Sequence, residues 1–254
     1  MLFFAGVFII SCKTEPKKET VNNDLLMDNL KGAVTMVEST PYTPDSTGKI
    51  SAMDSCCISV SEYDGKGYIV KTAQKDKAGK TNTGEELTHF DNGKMKEVIE
   101  TKDGKQSGKL TIELDSAGKY IAASHFDSSG KRDLKYDGLT EDMYGNILTG
   151  KQYNDSGMLK STWKNDFTNN MYAGGESTDS TGKVVWKSNG TRNDKGDRIT
   201  WNTTEVKKDS TISKSYTYTY ESYDEQGNWI QQTQLEKGKA TKVTKRAITY
   251  AKKE

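Results

Sequence analysis

Between Thr211 and Tyr220 the chain alternates. Ile212, Tyr216, Tyr218 and Tyr220 fall on one face of an extended segment, and Thr217 and Thr219 fall on the other. The same period sets Val184, Trp186 and Ser188 against Lys183, Val185 and Lys187, and residues 242–250 read as a closing strand. A period of two is that of β-structure, because successive side chains leave opposite faces. Helical periodicity is almost absent. Only Asn23–Leu30, where Asp24 precedes Leu25, Leu26 and Leu30, predicts a helical turn.

Between the alternating stretches one element recurs, Asp-x-x-Gly. It stands at Asp45–Gly48, Asp64–Gly67, Asp76–Gly79, Asp115–Gly118, Asp127–Gly130, Asp142–Gly145, Asp179–Gly182 and Asp224–Gly227. Shorter relatives are Asp91-Asn92-Gly93, Asp155-Ser156-Gly157 and Asp194-Lys195-Gly196. An aspartate at the first turn position accepts a hydrogen bond from the backbone two residues on. A glycine three residues later takes the left-handed conformation that closes a type I turn with a bulge. Each copy therefore predicts a tight hairpin. Their spacing predicts an all-β protein, a long antiparallel meander of consecutive β-hairpins with about 14 to 16 strands. An open sheet of that length is expected to curl or to split into packed sheets.

Composition agrees with a thin, turn-rich architecture. The hydrophobic fraction is 32%, the 29% of charged residues nearly cancel to a net +1, and 23 glycines stand against 3 prolines in 254 residues. Proline interrupts sheet ladders, whereas glycine serves turns. Near-neutral charge leaves no basic footprint for nucleic acid.

The N-terminus changes the picture. Residues 2–10 are an apolar run ending in Ser11-Cys12. That run is too short to span a bilayer, which takes about 20 residues, but it suits the core of a signal peptide. Ile9-Ile10-Ser11-Cys12 resembles the bacterial lipobox. The resemblance implies a signal peptide over 1–11, lipidation at Cys12, and anchoring to the outer membrane or cell surface. Residues 12–31 then read as lipidated cysteine plus flexible tether, with a β-hairpin repeat domain over 32–254. Lys13 and Glu15 behind the cysteine resemble the charged surface-export signals of some Gram-negative lipoproteins.

A second resemblance lies in the body of the chain. Tyr223-Asp224-Glu225-Gln226-Gly227-Asn228 matches the Tyr-Asp-x-x-Gly-Asn signature of YD (RHS-type) repeats. Tyr63–Gly67, Phe126–Lys131 and Asp142–Ile147 are similar to degenerate copies of it. The resemblance implies a hairpin-repeat scaffold at the cell envelope, in a family often described as carbohydrate-binding.

Chemistry-bearing residues are sparse. His89 and His125 fit neither a metal-ligand spacing nor a nucleophile–base motif. The turn aspartates lack the dense calcium-loop pattern, and no phosphate loop is present. We therefore expect no catalytic residue, metal or cofactor. Cys56 and Cys57 are adjacent and, in a strand, point to opposite faces, which favours one buried and one outward thiol over the alternative, a strained vicinal disulfide. Scarce Leu, Ile and Phe favour the aromatics as builders of a thin core. A ligand-stacking role on an exposed sheet face would instead select Trp186, Trp201, Tyr218 and Trp229. The expected function is a non-enzymatic, envelope-anchored binding or scaffolding module, meeting a glycan or envelope protein. The rivals are a glycan hydrolase and a purely structural envelope component.

Overall fold

The computed structural model describes residues 23–45, 49–53 and 57–252. Residues 1–11, Cys12, Cys56 and the inner residues of the first expected turn, 46–48, lie outside the described residues. A single-turn helix, α1 (Asp24–Met27), comes first, capped by the Asn23 side chain, which accepts from the Leu26 N–H at 3.1 Å. The first strands are β1 (Val34–Pro44), β2 (Ile50–Met53), β3 (Ile58–Tyr63), β4 (Ile69–Lys75), β5 (Thr81–His89) and β6 (Met95–Lys102). Then follow β7 (Lys105–Leu114), β8 (Tyr120–Asp127), β9 (Arg132–Glu141), β10 (Ile147–Asn154), β11 (Leu159–Thr168) and β12 (Met171–Asp179). The last are β13 (Val184–Arg192), β14 (Arg198–Val206), β15 (Thr211–Tyr223), β16 (Trp229–Glu236) and β17 (Lys239–Tyr250).

From β3 to β17 every strand pairs antiparallel with its successor, as the turn repeat predicts. The expected curled or split sheet is corrected: the meander closes into a 16-stranded barrel. β1 is the closing stave. It pairs with β3 on one side and with β17 on the other, matching Val37 to Ile248, Ser39 to Arg246 and Pro41 to Thr244. The short β2 joins only the far end of β1. Closure satisfies both edge strands, which an open meander would leave unpaired.

The turns follow the predicted chemistry. At Asp64 the carboxylate accepts from the N–H groups of Lys66 and Tyr68 at 2.8 and 3.0 Å, and Gly67 has φ +88°. The register shift behind the turn is the expected bulge. In two of the shorter relatives the capping acceptor is the preceding asparagine, Asn154 or Asn193, rather than the aspartate. Three further hairpins carry two-residue turns at Asp103–Gly104, Asn169–Asn170 and Lys237–Gly238. Both central φ angles are positive in each, as a type I′ turn requires.

Residues 23–33 lie across one rim of the barrel. Asn23 donates to the Lys66 carbonyl at 2.8 Å, and the Asp24 carboxylate accepts from the Ile69 N–H at 2.6 Å. Asn29 donates to Asp197 at 2.8 Å, and the Lys31 N–H donates to the Asn228 side chain at 2.7 Å. The stretch 23–31, expected to be tether, is thus a cap docked on three separate turns. Beneath it lies a buried hydrophobic cluster, Leu30, Val34, Val37 and Tyr63, flanked by Ile69, Ile248 and Tyr250. Among the described residues the opposite rim carries no such cover.

Cys57 is disulfide-bonded, with φ +82°. The expectation of free thiols is corrected at this residue; its partner lies outside the described residues.

Candidate functional site

Strand alternation assigns every side chain to the lumen or to the outer wall, and paired residues share a face. The outer wall is polar. Lys71 faces Glu86, Lys109 faces Glu97 and Lys187 faces Glu176, with N···O separations of 3.5–3.8 Å. Thr162–Thr178 and Thr191–Thr200 are hydroxyl pairs, and Asn189, Asn202 and Ser215 form a hydrogen-bonded row over three strands. Two outer aromatics lie under lysines, Tyr42 under Lys245 and Phe126 under Lys109. Val60, Ala73 and Val243, outward by register, are themselves buried. A membrane-spanning barrel instead shows lipid a continuous apolar band about 25 Å tall. Among the described residues no helix is long and apolar enough to cross a membrane.

The large aromatics point the other way. Tyr218, Tyr220 and Trp229 line a lumenal cavity of about 470 Å³ together with the cap residues Met27, Asp28 and Asn29. Trp201 faces a neighbouring recess of about 750 Å³ that shares Asn29, Tyr172, Arg192 and Arg198 with that cavity. Trp186, four residues before the Gly190 that pairs with Trp201, is on the same inner face. The placement of Trp186, Trp201, Tyr218 and Trp229 on an exposed sheet face is therefore corrected: all four face the lumen. The inner wall has few other large side chains, so ring burial falls to them. Two of the tryptophans lie over a glycine on the preceding strand. An added Cβ would come within 2.2 Å of the Trp163 ring at Gly150 and 2.6 Å of the Trp201 ring at Gly190.

Arginines complete this wall. Arg246 stacks on Trp229, 3.5 Å from the ring centroid, and Arg198 stacks on Trp201 at 4.1 Å. Arg192 donates to the carbonyls of Gly196 and Tyr172 at 2.8 and 3.3 Å. Lys242 lines the same cavity. Facing them are two carboxylates. Asp28 accepts from the Tyr63 hydroxyl at 2.8 Å, and Asp197 accepts from Asn29 and the Tyr223 hydroxyl at 2.8 and 2.9 Å. Burial pushes Asp28 above the usual carboxylate range, against the opposing pull of Tyr63 and Arg246. Burial lowers Arg246 and Arg192 from the usual arginine value, and it pushes Tyr220 up to about 12. The Nε atom of Arg246 is sealed from solvent and has no hydrogen-bond partner among the described residues.

Sequence reasoning picked out the aromatics of this wall and missed its cations. The signal was present. Arg132, Arg192, Arg198 and Arg246 are the arginines of a chain with 37 Lys and Arg in all, and the last three line the cavity. Where lysine serves for solvation, arginine marks the places that need a planar, stackable cation.

The other wall holds His125, whose ring nitrogens lie 2.6 Å from Asp133 and 3.4 Å from Glu100. Burial alone would lower its pKa, but the two carboxylates outweigh that and raise it. His89 lies beside Tyr68, with ring centroids 5.1 Å apart. Among the described residues no group of three or more His, Cys, Asp or Glu could hold a metal ion.

No family model matches the sequence, and no curated protein matches it either. A solved structure shares its fold. A porin-like protein from Bacteroides uniformis is similar over 86% of this chain and 98% of its own, with 12% identity and a TM-score of 0.54. The Photorhabdus luminescens Tc holotoxin pore is matched over 80% of this chain and 15% of its own, with 11% identity and a TM-score of 0.20.

Proposed function

We propose that this chain is an envelope lipoprotein, held to the membrane by lipid on Cys12, whose water-filled barrel is a non-enzymatic binding or scaffolding module. The observation that carries the reading is the polar outer wall. A closed barrel with charge pairs and threonine rows outside stands in water, so membrane attachment falls to another part of the chain, and the lipobox-like Ile9–Cys12 meets that need. The porin-like neighbour adds an envelope setting by analogy of fold alone. The YD-type resemblance points the same way. Two of the lumenal carboxylates, Asp28 and Asp197, are engaged as structural acceptors, for the Tyr63 hydroxyl and for Asn29 and the Tyr223 hydroxyl, which fits a binding or scaffolding role.

The test compares the full chain with Cys12→Ala in cells fed labelled palmitate, followed by detergent-phase partitioning. Loss of both label and partitioning in the variant is expected. A variant that still partitions with the membrane would mean that the barrel itself inserts, and the reading would fall.

A further inference from the structure

The lumen cavity beneath the cap holds more positive charge than it neutralises. Arg192, Arg198, Lys242 and Arg246 line it, against Asp28 and Asp197. The guanidinium groups of Arg198 and Arg246 have neither a hydrogen bond nor an ion pair among the described residues. Each is held flat on a tryptophan, which fixes its donors in space. A buried donor left unmatched costs free energy, and among the described residues Arg246 leaves one, its Nε, beside the cavity. Gln232, Gln234 and Tyr218 add neutral polar groups around them. The recess at the rim, between the turn at Asn169–Asn170 and that at Asn193–Gly196, shares Arg192 and Arg198 with the cavity and offers an entrance.

We infer that this cavity is a binding site for a small solute bearing an oxyanion, a carboxylate or a phosphate, held in the fork of Arg246 and Arg198 with Lys242 alongside. The guanidinium plane matches such groups two oxygens at a time. Asp28 and Asp197 oppose the ligand and so set its affinity. The inference rests on the reading of the barrel as a binding module and narrows it to one wall of the lumen. It is independent of the lipid anchor, which palmitate labelling reports separately.

Calorimetric titration of the full chain in non-ionic detergent tests it, with sodium phosphate, sodium glucuronate and neutral glucose as probes. Saturable binding of glucuronate or phosphate, but not glucose, is expected. Which of the two binds identifies a carboxylate or a phosphoryl source. Arg246→Gln and Arg198→Gln should each weaken binding by about tenfold or more, the weight of one charge-assisted hydrogen bond. Arg246→Lys should recover only part, because it restores charge without the planar fork. Arg132→Gln, at an exposed position outside the cavity, should change nothing. Asp28→Asn should tighten binding, and it keeps an acceptor for Tyr63, so it reads the site even if an arginine variant fails to fold. Glucose binding as tightly as glucuronate, no binding of either anion, or an affinity indifferent to Arg246→Lys and Asp28→Asn would overturn the inference.

Discussion

The two rims of the barrel are built from the same hairpin motif and have opposite characters. At the capped rim each turn glycine has a neighbour: Gly67 meets Asn23, Gly93 meets Tyr68, Gly196 meets Asn29 and Gly227 meets Lys31. At the bare rim Gly79, Gly130, Gly157 and Gly182 meet nothing within 4 Å. The residue after the glycine differs too. Asn146, Asp197 and Asn228 are buried at the capped rim, where Lys119 is the exposed exception, while Lys80, Lys131, Met158 and Lys183 are exposed at the bare one. The cause is geometric. Moving round the barrel, a hairpin at one rim maps onto the next at the other rim by a half-turn about the circumferential direction. That rotation exchanges inside and outside. One turn position therefore aims into the lumen at every second turn and into solvent at the turns between, and side chains have diverged to suit.

The largest expected effect breaks this comparison at its ion pairs. Lys94 and Glu141 lie 2.6 Å apart under the cap with side chains 13% and 7% exposed, whereas Lys131 and Asp155 meet in solvent at the bare rim. Glu141→Gln should cost about 3 kcal/mol by stranding a buried ammonium. Asp155→Asn should leave the chemical denaturation midpoint where it was. Equal midpoints for the two variants would remove the distinction between the rims.

Next comes the position after the glycine. Asn228→Ala loses the bonds to the Lys31 backbone and the Tyr250 hydroxyl and leaves buried partners unmatched, for about 2 kcal/mol. Its counterpart Lys183→Ala should stay within about 0.5 kcal/mol. Urea denaturation of both reads the difference directly.

The turn glycines sharpen the comparison further. Gly79→Ala carries only the left-handed backbone penalty, about 1 kcal/mol. Gly67→Ala carries that penalty and also places its Cβ 2.6 Å from the Asn23 amide and 2.9 Å from Leu25. It should cost roughly 1 kcal/mol more and raise protease cleavage within residues 23–31. Equal losses with an unchanged digest would show that the cap is not seated on this turn.

The smallest effect belongs near the bare rim. The pKa of His125 is raised by Asp133 and Glu100, so the stability it contributes is complete below the ordinary histidine value of about 6.5 and fades as pH climbs through the raised one. A melting series from pH 6 to 8 should show a shallow decline in the native chain and a flatter line in His125→Gln. Parallel slopes would remove His125 as the source.

Much of the strand order was legible because Asx-capped turns are local. Asp64, Asp76, Asp127 and Asp179 each specify their hairpin within a few residues. Asp103–Gly104 was equally legible as a type I′ signal, but it lies outside the Asp-x-x-Gly spacing and went unread. Closure was not local. Nothing near Val37 names Ile248 as its partner, and the choice between an open sheet and a ring lies in that pairing. The site was hidden for the same reason. Trp229 and Arg246 come together only across β16 and β17, and strand periodicity cannot say which face is the lumen. Yet the Gly-Asn that completes the Tyr223–Asn228 signature is the cap's docking residue, so the motif encodes a contact as well as a turn.

The seam between β1 and β17 also sets an order of events during folding. Its hydrogen bond from Thr35 to Thr249 spans 214 residues, while the hairpin pair Thr191–Thr200 spans 9. Loop-closure entropy makes the seam about 3 kcal/mol harder to form than a hairpin in an otherwise unstructured chain. Hairpins can zip one after another as the chain emerges, but the growing sheet keeps a raw edge until the last strand arrives. A cylinder lacking that last strand would present its own first strand to other chains, and residues 239–250 are the latch that covers it.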